Sequence, residues 1–118
     1  MNNKEILPYD RMMTGILQGD EEKILGAIKG GADVNQPFHG HAPITFSVQS
    51  GKVGIFDLLI EQGAELSPLS ARAIWVNARR KGATGFIERI KARGVRIGFA
   101  ARLAFWLLKI KDRFFRAR

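Results

Sequence analysis

The chain has 118 residues, of which 46% are hydrophobic, no cysteine, and a formal net charge of +8. That length fits one domain with a small continuous core, and the missing cysteine excludes disulfides and thiolate metal sites and favours a reducing compartment. The charge is unevenly spread: residues 1–66 hold 5 Lys/Arg and 9 Asp/Glu, a net of −4, whereas residues 67–118 hold 14 and 2, a net of +12.

Residues 1–7 are polar and are expected to fray. Met1-Asn2-Asn3-Lys4-Glu5 shows neither a basic n-region nor an apolar h-region, so the expected location is cytoplasmic. From Pro8 to Gln18 the apolar residues Tyr9, Met12, Met13 and Ile16 recur at i, i+3, i+4 and i+7, the period of an amphipathic helix. Asp20-Glu21-Glu22 then place negative charge where the positive end of a second helix dipole favours it, and Ile24, Ala27 and Ile28 supply that helix's apolar face. Asn35–His41 follows as a connection. Each proline in Gln36-Pro37 and Ser67-Pro68 opposes helix at the residue before it, so both segments are expected to be extended or turned. His39 and His41 flank Gly40 there, but two donors are too few for a stable metal site, and neither metal nor cofactor is expected.

Pro43 can open the next helix and Gly51 can close it. Ile55, Phe56, Leu59 and Ile60 form the apolar face of its partner, which Gly63 stops. After the connection Leu66–Leu69, the stretch from Ser70 to Gly82 reads as a helix with Ser70 as its N-cap. Arg79, Arg80 and Lys81 fall in its last turn, where the dipole favours cations, and their number exceeds that need. Arg72, Arg89, Lys91, Arg93 and Arg96 extend the positive region, and Phe86, Ile87 and Ile90 are the core residues of the following helix.

Residues 98–118 read as a helix of another kind. On a helical wheel Phe99, Leu103, Trp106, Leu107, Ile110 and Phe114 form one apolar stripe beside a cationic stripe of Arg102, Lys109, Arg113 and Arg116. Phe105, Leu108 and Phe115 fall on a further side and are candidates for exposed contact.

Two glycine series share one period. Gly19, Gly51 and Gly82 stand 32 and 31 residues apart, and so do Gly31, Gly63 and Gly94. With Ala42-Pro43-Ile44-Thr45 before the middle helix pair and Gly31-Ala32-Asp33-Val34-Asn35 after the first, the pattern resembles the ankyrin repeat, whose signature is T-P-L-H-x-A. Ala42 stands for the Thr, Ile44 for the Leu and Thr45 for the His; in the third unit Ile74 replaces the proline and Trp75 the leucine.

The resemblance implies an all-α, ankyrin-like solenoid of three helix-turn-helix repeats over residues 1–97, in units of about 8–35, 36–66 and 67–97. Residues 98–118, a basic amphipathic helix, would pack on the last repeat as a cap, because end repeats need covering and no glycine falls near 113–114 for a fourth.

No catalytic arrangement is visible: no cysteine nucleophile, two histidines in one short loop, and no glycine-rich phosphate loop. The expected function is a non-enzymatic protein–protein interaction module, an adaptor or inhibitor, offering its basic half to an acidic protein. The resemblance places contacts on the connections and first helices, here His39, His41, Arg72, Trp75, Arg79, Arg80 and Lys81. The terminal helix adds Arg102, Phe105, Lys109, Arg113 and Arg116. Two alternatives stand beside it. A half with +12 net charge can neutralise nucleic-acid phosphates, although no nucleic-acid-binding motif is present. The terminal helix also suits peripheral attachment to an anionic membrane surface. Nothing in the sequence sets an oligomeric state.

Overall fold

The computed structural model describes residues 7–94, 103 and 106–111. These residues are helical without a strand, apart from one isolated antiparallel bridge between Phe38 and His41. The backbone forms two compact units, Met1–Leu66 and Ser67–Arg118, and the division falls where the charge changes sign.

In the first unit α1 spans Pro8–Gln18 with Pro8 in its first turn, where a missing N–H costs nothing. Its buried face is Met12, Met13 and Ile16, as the period predicts, together with Gly15, while Tyr9, the fourth residue of that pattern, is half-buried. Gly15 lets the next helix approach closely, since a Cβ there would lie 2.9 Å from Cγ1 of Ile24. Gly19 ends α1 at φ 73°, a conformation that glycine adopts without steric cost, and the Asp20 N–H reaches back to the Gly15 carbonyl at 2.9 Å. Asp20 then caps α2 (Glu21–Lys29) by accepting the Lys23 N–H at 3.1 Å. Ile24 and Ala27 are buried, and Ile28 is half-buried.

The second helix pair begins differently from the expected single helix. Pro43–Phe46 is a 3-10 turn, and only Ser47–Ser50, α3, is α-helical. The Thr45 N–H bonds to the Ala42 carbonyl, while the Ser47 and Ser50 hydroxyls donate to carbonyls three residues back, at 2.7 Å each. Such local bonds compete with the α-helical ladder and tighten the segment. Gly51 still closes it, at φ 72°. Helix α4 (Val53–Glu61) buries Ile55, Phe56, Leu58 and Leu59. Helix α1 packs on both α2 and α3.

Two polar links join the successive pairs of this unit. The Asn35 amide donates to the Gly63 carbonyl at 3.0 Å and accepts the Glu65 N–H at 2.9 Å. Lys52 donates from Nζ to the Gly19 carbonyl at 3.2 Å.

In the second unit α5 spans Pro68–Lys81 and packs on α6, Thr84–Ala92. Its N-cap is Ser67, whose hydroxyl accepts the Ser70 N–H at 3.1 Å; Ser70 lies inside the helix and is buried. This corrects the expected cap and the expected loop over Leu66–Leu69. Pro68 at the first helical position starts the helix three residues earlier, and Ser67 alone has the extended backbone that a cap requires. Gly82 at φ 73° closes α5. The predicted core residues Ile74, Phe86, Ile87 and Ile90 are all buried. Residues 103 and 106–111 are helical.

Candidate functional site

The connection between the first two pairs folds on itself. Phe38 and His41 exchange both backbone hydrogen bonds, at 2.8 and 3.1 Å, around His39-Gly40, and these two residues have φ 53° and 82°. A two-residue hairpin turn of type I′ needs positive φ at both central positions, and Gly40 supplies one of them without strain. His39 and His41 are exposed at this tip, as expected. Their rings join an aromatic cluster: His39 lies edge-on to Phe38 at 4.3 Å, Phe38 to Phe46 at 5.6 Å, and His41 to Phe46 at 6.3 Å.

Tyr9 joins from α1, 6.4 Å from Phe38, and its hydroxyl donates to the Gln36 carbonyl at 2.7 Å. Burial, and then the charges of Asp10 and Asp33, raise its pKa above the ordinary tyrosine value. The sequence reading missed Tyr9, Phe38 and Phe46 as parts of this tip; the signal was available in Phe38-His39-Gly40-His41, a two-residue turn between pairing positions. Among the described residues no group of three His, Cys, Asp or Glu is placed to hold a metal ion.

In the second unit, Arg72, Arg79, Arg80 and Lys81 are exposed on α5. Arg72 donates from Nε to the Pro68 carbonyl one turn back, at 3.4 Å. Trp75 does not join them. It is 6% exposed and lies on the buried face with Ala71, Ile74 and Ala78, so it is a core residue rather than a partner contact. The reason is helical spacing, since these four positions fall at i, i+3, i+4 and i+7. The Arg79 guanidinium carbon sits 5.5 Å from the Trp75 ring centroid, a cation–π contact that holds the arginine at the helix end. Arg89, Lys91 and Arg93 on and just beyond α6 are also exposed.

Of the residues expected to bind from the terminal helix, Lys109 is exposed, while Arg102, Phe105, Arg113 and Arg116 lie outside the described residues. The same holds for Phe99, Phe114 and Phe115 of the expected apolar sides, for Arg96, and for residues 1–6. The expectation that the Leu103 stripe is covered is overturned at three positions: Leu103, Trp106 and Leu107 are 40%, 57% and 51% exposed. Leu108, expected to be exposed, is half-buried, as is Ile110. No helix among the described residues is long and apolar enough to cross a membrane. Comparison with family models, with curated proteins and with solved structures yields no match for this chain.

Proposed function

We propose that this protein is a non-enzymatic interaction module made of ankyrin-like helix pairs, which binds an acidic protein through its basic second unit. The observation that carries this reading is the separation of charge by structural unit. The net of +12 in residues 67–118 is confined to one compact unit, and the consecutive cations Arg79, Arg80 and Lys81 are all exposed at the end of α5. Complementary charge of this kind steers association and selects partners by sign. Support for the repeat reading comes from the recurring stops. Gly19, Gly51 and Gly82 end the first helix of each pair at φ 72–73°, and Gly31, Gly63 and Gly94 follow the second helix with positive φ. The tip bearing His39 and His41 is a second contact region in this reading.

The test is capture on the immobilised full chain from nuclease-treated lysate, with the wild type compared to Arg79→Glu/Arg80→Glu/Lys81→Glu. A set of acidic proteins retained by the wild type and lost from the variant is the expected result. Capture that disappears on nuclease treatment would transfer the basic unit to the nucleic-acid reading, and an unchanged set would remove these three residues from the interface.

A further inference from the structure

The basic patch on α5 and the terminal helix differ in one physical respect. Around Arg79–Lys81 the exposed groups are charged, whereas Leu103, Trp106 and Leu107 expose large apolar side chains at i, i+3 and i+4, one contiguous face of a helix. We infer that this face docks on an anionic lipid surface, with Lys109 and Lys111 at its edges. At 100° per residue the two lysines fall on opposite flanks of the Leu103–Trp106–Leu107 face, and both are exposed. Long lysine stems can lie along apolar surface while the ammonium reaches outward to a phosphate or carboxylate headgroup.

An indole is suited to that boundary because its ring is apolar and its N–H is polar. The unit supplies the matching long-range field, with 14 cations against 2 carboxylates. Attachment to the surface is proposed, not a span, because Arg102, Lys109 and Lys111 interrupt the apolar stretch of the sequence. This inference goes beyond the acidic-protein reading and does not rest on it, because the two use different residues and either can fail alone.

The experiment is co-sedimentation of the full chain with vesicles of phosphatidylcholine, with and without phosphatidylserine. Binding is expected only with phosphatidylserine, and it should weaken as salt is added. Trp106→Ala/Leu107→Ala should weaken it at least about tenfold by removing apolar contact. Lys109→Ala/Lys111→Ala should weaken it about thirtyfold, at about fivefold per cation near the headgroups. All four side chains are exposed, so circular dichroism should show both variants folded. Absence of binding to the anionic vesicles overturns the inference. So does equal binding by the Trp106→Ala/Leu107→Ala variant, which would reduce it to adhesion by charge. A concentration-dependent dimer in sedimentation velocity that the same variant dissociates would assign the face to a second copy of the chain and overturn it too.

Discussion

The two units punctuate their helices alike and differ in what joins and charges them. In the first, Asn35 and Lys52 reach across 28 to 33 residues to bond the backbone of a neighbouring pair. One period later Asn35 is matched by Ser67, whose hydroxyl caps α5 instead, and Lys52 by Ala83, which has no side-chain donor. The first unit carries a net charge of −4 and the second +12. Glycine stops thus specify where helices end, whereas polar links and surface charge are free to vary from one pair to the next.

The largest expected effect tests the shared part of this comparison. Leu59 and Ile90 occupy the same column of α4 and α6, and both are fully buried. Leu59→Ala and Ile90→Ala should each cost about 2–5 kcal/mol in chemical denaturation through lost transfer energy and cavity formation. A cost below about 1 kcal/mol for either would break the equivalence of the columns.

Next comes the part that differs. Asn35→Leu removes both of that side chain's bonds to the neighbouring pair. It should cost about 1–2 kcal/mol, since two backbone groups lose their partners to solvent. A neutral result would show that the amide does not hold the pairs together.

A smaller effect concerns the stops. Gly51→Ala and Gly82→Ala should each destabilise by about 1 kcal/mol, because a Cβ opposes the left-handed backbone even where, as at both sites, space is open. Gly26→Ala is the control. Gly26 lies inside α2 with nothing near its Cβ direction and without positive φ, so alanine there should stabilise by roughly 0.5–1 kcal/mol. Equal effects at all three positions would mean that conformation is not what the glycines provide.

The smallest effect is on pH dependence. Tyr9 is the single tyrosine, so a phenolate absorbance titration reads it alone. Its midpoint should lie above the usual 10.0 in the folded chain. Because folding raises this pKa, the stability it contributes is complete below the ordinary value and is lost as pH rises through the folded one. Tyr9→Phe should remove that part of the alkaline decline, and a midpoint at or below 10.0 would contradict the joint effect of partial burial and the nearby Asp10 and Asp33 charges.

Much of the helical layout was legible because it depends on local rules. Glycine alone enters the left-handed region cheaply, so the stops at Gly19, Gly51 and Gly82 could be placed to the residue, and most of the buried faces of α1, α4 and α6 followed from spacing, although in α4 Leu58 is buried and Ile60 only half-buried. The spacing of Ala71, Ile74, Trp75 and Ala78 also marked Trp75 as core, a signal outweighed by the charges around it. Ser70 is the expected cap of α5, but Pro68 at the first helical position makes Ser67 the cap. The Asn35 links were not legible, since they join positions 28 and 30 residues apart that no local pattern pairs. For the terminal helix the Leu103 stripe is expected to be covered, and Leu103, Trp106 and Leu107 are exposed instead, because periodicity finds apolar sides without saying which of two is packed.

The central claim is that charge divided by unit makes the second unit the binding face. The most direct measurement is a calorimetric titration of poly-glutamate, as an acidic polypeptide probe, into three full chains: wild type, Arg79→Glu/Arg80→Glu/Lys81→Glu, and Glu22→Lys/Glu61→Lys in the first unit. The account predicts at least about tenfold weaker binding for the second-unit variant and unchanged or tighter binding for the first-unit variant. Undiminished binding by the second-unit variant would contradict it.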